Sequence, residues 1–147
     1  MTVARESFFA ALFNTRNRMR FAMDDAFRPL GITDATWRTL FYLEQTGSGV
    51  AQRDLADVMG IEGPSLVRLL DNLERKALIV RRPSETDRRS KTVHLTRDAE
   101  KLLGTLHEVA GAVRNRILDE IDESEIELCL DVFARMMAAA DRMSDNE

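Results

Sequence analysis

The stretch from Gln52 to Leu70 constrains this chain more than any other. A small residue, Ala56, stands four positions before a glycine, Gly60, and Leu55, Met59, Ile61, Leu66 and Leu69 occupy the apolar positions around them. Two short helices that cross closely need a small side chain at the crossing and a residue tolerant of positive φ at the turn, with apolar residues to lock the pair. The pattern predicts a helix over 51–59 closed by Gly60. A second helix opens at Gly63-Pro64, where the missing proline N–H costs nothing, and runs through Leu66, Leu69, Leu70 and Leu73 to about Lys76. Such a pair is either a helix-turn-helix or a helical hairpin that only packs, and the flanking sequence decides between them.

The flanks are mostly helical in pattern. Phe8, Leu12, Met19, Met23 and Ala26 recur at helical steps over residues 4–28, ended by Arg28-Pro29, because the residue before a proline resists the helical conformation. Thr33 or Asp34 caps a second helix through Trp37, Leu40, Phe41 and Leu43 to Gln45, followed by a loop over 46–49. Leu78–Arg81 and Lys91–Leu95 read as two short strands around the polar loop 83–90, a long-looped hairpin. Thr96 caps a long helix over 98–121, and a last helix spans 124–143. The expected fold is therefore mainly α. The single cysteine excludes an internal disulfide framework, and no run reaches the ~20 apolar residues of a spanning helix. The first residues lack the basic start and apolar stretch of a secretory signal, so a cytoplasmic chain without membrane partners is expected.

Charge is unevenly placed. The total is −4, yet residues 68–91 hold eight basic and four acidic side chains, whereas residues 117–147 hold ten acidic and two basic. A polyanion responds to the local patch more than to the total. In a helix-turn-helix the second helix enters the major groove, and here its N-terminal residues are Pro64, Ser65 and Arg68. Arg68 suits a bidentate bond to guanine, and Ser65 a phosphate or base edge. The hairpin that follows carries Arg88 and Arg89 in its polar loop, as a wing reaching a minor groove needs, with Asp87 placed to bond Arg89 and hold it extended. The wing turns the balance toward DNA binding.

These residues, above all Gly63-Pro64-Ser65-Leu66-Val67-Arg68-Leu69-Leu70-Asp71-Asn72-Leu73-Glu74 and Asp87-Arg88-Arg89-Ser90-Lys91-Thr92-Val93-His94-Leu95-Thr96, resemble the MarR family of winged-helix regulators, closest to its SlyA-like branch. The resemblance covers nearly the whole chain. It implies a winged helix-turn-helix with a two-stranded wing over about 33–96, and a helical dimerisation part over about 4–30 and 98–143. It also implies a homodimer that reads an inverted repeat in double-stranded DNA, under the control of a small molecule. In SlyA-like relatives an aromatic residue near the start of the second helix, with arginines of the first, lines a pocket for salicylate-type carboxylates. Trp37 and Arg20 match, whereas Asn17, Ala35 and Phe41 are less polar or less cationic than that pattern. The implied ligand is a small aromatic carboxylate or phenol, and Trp37 as plain core remains the alternative. Repression by covering a promoter is the expected outcome of binding.

Dimerisation has support of its own. The last helix carries two apolar rows, one with Ile126, Leu130, Phe133 and Met137 and the other with Cys129, Val132 and Met136; the first helix presents Phe8 and Leu12 on a similarly broad face. One row packs a helix on its own domain, and a second invites a partner. Cys129, on the apolar face with acidic neighbours, is expected to be buried and inert. His94 and His107 stand alone, with no partner at metal-ligand spacing and no nucleophile beside them, and no glycine loop cradles a phosphate. No catalytic residue, metal or cofactor is expected. The competing function is a winged-helix protein-interaction module without sequence-specific DNA binding.

Overall fold

The computed structural model describes residues 3–47, 49–87 and 89–144. Six helices and three strands follow one another as α1 (Val3–Phe27), α2 (Asp34–Thr46), β1 (Val50–Ala51), α3 (Gln52–Met59), α4 (Gly63–Arg75), β2 (Ile79–Pro83), β3 (Lys91–Leu95), α5 (Arg97–Leu118) and α6 (Glu123–Ser144). The chain divides into two compact units, Met1–Val113 and Arg114–Glu147.

Local chemistry sets the boundaries in the first unit. After α1 a single 3₁₀ turn over Arg28–Leu30 carries Pro29, and Gly31 follows at φ 67°. Thr33 then caps α2 reciprocally: its Oγ1 accepts the Thr36 N–H at 3.2 Å, and Thr36 Oγ1 accepts the Thr33 N–H at 2.9 Å. Such a box stabilises a helix start by about 1 kcal/mol. Gly60 closes α3 at φ 61°, donating its N–H to Asp57 O at 3.1 Å. At the end of α4, Ala77 takes the left-handed conformation at φ 57° without being a glycine. It is held there by Thr96, whose Oγ1 donates to Ala77 O at 2.8 Å while accepting the Ala99 N–H at the start of α5.

The strands form one antiparallel sheet in the order β1-β3-β2, with Val93 opposite both Val50 and Arg81. The wing hairpin β2–β3 is the expected pair. β1 is a third strand that the sequence does not predict, because two residues carry no alternation to read. The core lies where α2, α3, α4, α5 and the sheet meet: Leu40, Leu43, Leu55, Leu66, Leu70, Leu73, Ile79, Val93, Leu103 and Leu106 are all buried. α4 contributes Leu66, Leu70 and Leu73 on one side, so its other sides are turned outward. Burying one such leucine contributes about 1.5–3 kcal/mol, and three of them fix the helix rigidly.

In the second unit the Glu125 carboxylate accepts the Asp122 N–H at 3.0 Å at the head of α6. No described residue of α6 is buried, and Leu128, Leu130 and Met137 are more than 60% exposed. Cys129 is likewise exposed, contrary to the expectation of a buried thiol, because the apolar rows of α6 remain uncovered within a single chain. No helix among the described residues is long and apolar enough to cross a membrane.

Candidate nucleic-acid interface

The outward sides of α4 and the wing present the side chains expected to meet a polyanion. Pro64, Ser65 and Arg68 are exposed on the first two turns of α4. Among the described residues neither Arg68 nor the Arg89 guanidinium has a hydrogen-bond or ion-pair partner, so both charges are available. The start of α4 adds the positive end of the helix dipole, and its N-cap residue Glu62 supplies no capping bond.

Two grooves flank α4. One, of about 810 Å³, lies between α3, the first turns of α4 and the wing, and is lined by Gln52, Arg53, Gly63, Val67, Arg89 and Lys91 among others. The other, of about 490 Å³, lies toward α2 and is lined by Thr33, Thr36, Ser65, Arg68, Asn72 and Lys76. The structure thus brings Asp87 and Arg89 to the wing-side groove and places Ser65 and Arg68 on the opposite flank of the helix. Arg88 lies outside the described residues. Arg53 and Lys91 are cations at this surface that the sequence reading did not single out; their positions beside the helix-turn-helix and at the foot of the wing were the available signal.

The wing loop is ordered by short polar contacts. Asp87 Oδ1 accepts the Arg89 backbone N–H at 2.9 Å, and Ser84 closes the loop through its N–H to Ser90 O at 3.0 Å. Asp87 therefore orients Arg89 through the main chain, by an Asx turn, rather than through its guanidinium.

Arg81 behaves differently from the other cations. Its Nη2 donates to Asp71 Oδ1 and to Glu74 Oε2, both at 2.6 Å, its Nε donates to Glu74 Oε2 at 3.2 Å, and its backbone N–H reaches Glu74 Oε1 at 3.2 Å. Its side chain is only 15% exposed. The hydrogen bond from Arg81 holds the Glu74 carboxyl below its ordinary value and raises Arg81 in turn.

At the α1–α2 junction Trp37 is buried against Phe27 and Phe41, with ring centroids 5.3 and 5.8 Å away. Its Nε1 is buried without a hydrogen-bond partner among the described residues. Burial pushes the neighbouring Asp34 carboxyl up, opposed by Arg38 and reinforced by Asp24, with Arg16 and Arg20 also pulling it down. Arg20 stands 3.7 Å from Asp24 and covers the Phe21 ring. Beside Phe41, His107 Nε2 meets Glu44 Oε2 at 2.7 Å, and on β3 His94 Nε2 meets Thr92 Oγ1 at 2.9 Å. No group of three or more His, Cys, Asp or Glu among the described residues is gathered for a metal ion.

Of the proposed interface residues, Phe8 on α1 is 42% exposed and Leu12 is half-buried. On α6, Ile126 is half-buried, while Leu130, Phe133 and Met137 are exposed.

A helix-turn-helix followed by a β-hairpin wing, with helices before and after it, defines a winged-helix protein. The MarR family model matches residues 30–90. The chain is 38% identical to the transcriptional regulator PA3341, with a TM-score of 0.81 over 92% of this chain and 98% of that one. It is 28% identical to MepR of S. aureus, solved as a DNA complex, with a TM-score of 0.79 over 89% and 97% of the two chains. CouR from Rhodococcus jostii RHA1, solved bound to p-coumaroyl-CoA, is 23% identical, with a TM-score of 0.75 over 85% and 87%. The chain belongs to the MarR family of transcription regulators.

Proposed function

We propose that the chain acts as a homodimeric repressor that binds a pseudo-palindromic site in duplex DNA. The observation that carries this reading is the pairing of α4, seated by three buried leucines, with two guanidinium groups that have no partner among the described residues, Arg68 on the helix and Arg89 on the wing. The major groove, about 12 Å wide, admits α4; Arg68, Pro64 and Ser65 meet base edges and phosphates there, and Arg88 and Arg89 reach the adjacent minor groove. MepR, the relative at 28% identity, was solved with DNA, which supports the same use of this surface.

Dimerisation follows from the uncovered apolar faces. Phe8, Phe9 and Phe13 on α1, and Leu128, Leu130 and Met137 on α6, are more than 40% exposed. Apolar patches of this extent mark a partner surface. A second copy of the chain covers them, and its two-fold axis sets the two α4 helices about one DNA turn apart. The division of the chain into a DNA-binding part over about 33–96 and a dimerisation part formed by the residues on either side belongs to the same proposal.

A small aromatic carboxylate or phenol bound near Trp37 and Arg20 shifts the spacing of the two α4 helices and releases DNA by binding one arrangement better. The unpartnered indole N–H of Trp37, its two aromatic neighbours and the arginines around Asp34 support that site.

Light scattering combined with filter retention of duplex DNA tests the core of the proposal. A mass of about 33 kDa, twice the 16.7 kDa of one chain, and retention at near-physiological salt are expected. Met137→Glu, at an exposed position, should lower both together. A wild-type mass near 16.7 kDa refutes the dimer; a monomeric Met137→Glu that retains DNA as tightly as the wild type refutes the need for a dimer in binding, and a dimer that retains none moves the function to a protein-binding module.

A further inference from the structure

Among the described residues of the unevenly charged stretch around α4, Arg81 is the one cation held in ion pairs. Arg81 uses three of its N–H groups on the two carboxylates of α4, Asp71 and Glu74, and its backbone N–H on a fourth bond to Glu74. Those acids stand three positions apart on α4, on neighbouring turns of one side, and Arg81 stands on β2 opposite the buried Val93 of β3. A fork that grips two carboxylates has fixed orientation as well as charge. It can reach a phosphate only by leaving both.

We infer that Arg81 is a positioning residue, a strut that sets the angle of the wing against the DNA-reading helix, with Asp71 and Glu74 as its seat on that helix. The inference rests on the DNA-binding reading above. Geometry explains the need. The tip residues begin six positions beyond Arg81, at most about 20 Å away at strand rise, so a pivot of roughly 10° at the base carries the tip by about 3 Å. That displacement separates a minor-groove contact from none. The sheet ties the hairpin to the body on one side only, through β3, whose Val93 and Thr92 pair with β1; the link from Arg81 to α4 ties it on the other side, through β2, and the two together set the angle. Two acids on a surface that meets a polyanion are otherwise a plain loss, and the strut accounts for both.

The test uses the sign of the effect. Glu74→Gln removes a negative charge from a DNA-facing helix, so electrostatics alone predicts tighter binding. The strut predicts the opposite. Fluorescence anisotropy is read with the duplex that the full-length wild type selects from a random library, and urea unfolding checks that each variant is folded at the assay temperature. Glu74→Gln and Arg81→Met should each weaken binding about tenfold, and the double variant should be no weaker than either, because coupled partners are not additive. In an Arg89→Ala background, Glu74→Gln should cost nothing further, since the wing tip it positions has already lost its contact. A loss that persists unchanged in that background shows a general structural role and overturns the strut. Binding by Glu74→Gln as tight as wild type, or tighter, overturns it too, with the DNA reading intact. A wild type that selects no duplex overturns the DNA reading first and the strut with it, before any variant is compared.

Discussion

Arg89→Ala offers a prediction whose size can be worked out. Arg89 is exposed, its guanidinium has no partner among the described residues, and only its backbone N–H is engaged, by Asp87. Alanine keeps that N–H, so the wing loop should hold its shape and the unfolding free energy should stay within about 0.5 kcal/mol of wild type. What is lost is a cation held in the minor groove between the two phosphate backbones, which displaces counterions as a phosphate contact does. Each such contact contributes about 0.9 to the slope of log affinity against log salt, and a homodimer loses two, so the slope should flatten by about 1.8. Between 50 and 200 mM salt, the advantage of wild type over variant should shrink by about twelvefold. Anisotropy titrations on one duplex at four or five salt concentrations measure both slopes. Parallel slopes, with Arg89→Ala folded, would refute the wing contact. A slope change near 0.9 would mean that only one wing of the dimer touches DNA.

Other substitutions probe separate links. Arg68→Ala should cost about 1–3 kcal/mol of discrimination and relax preference at one base position in each half-site, read by competition among single-base variants of the site. Ala77→Gly should stabilise the fold by about 1 kcal/mol in urea unfolding, because Ala77 holds φ 57° where glycine is unstrained; a loss of stability would show that its methyl packs usefully. Glu74 titrates in the folded chain below its ordinary 4.5, so its contribution to stability is present above that value and is lost as pH falls through the lowered one. Unfolding measured from pH 6 to 3 should therefore decline less steeply below pH 4.5 in Glu74→Gln than in wild type.

Much of the fold was legible because it follows from near-neighbour rules. Thr33 and Thr96 cap helices, Gly60 takes its positive φ, Pro64 opens α4, and Val93 and Leu95, alternating with polar Thr92 and His94, mark β3 to the residue. What stayed hidden depends on partners distant in sequence. β1 is two residues long and exists only by pairing with β3, some forty positions on. Arg81 counted as one of eight cations in a basic stretch, yet a charge count carries no direction, and its guanidinium turns inward to Asp71 and Glu74. Arg89 and Arg68 looked alike in sequence and lie on opposite flanks of α4. Cys129 sits on an apolar row as expected, but burial is a property of what covers the row, and a single chain leaves α6 open.

The central claim is that two copies of this chain read an inverted repeat. Its most direct test is selection of a random duplex library on the purified wild type at near-physiological salt, with sequencing of the retained fraction. The account predicts one enriched motif made of two inverted half-sites about one turn, roughly 10 base pairs, apart centre to centre. Retention of duplex without any enriched motif, or enrichment of a single unpaired half-site, would contradict it.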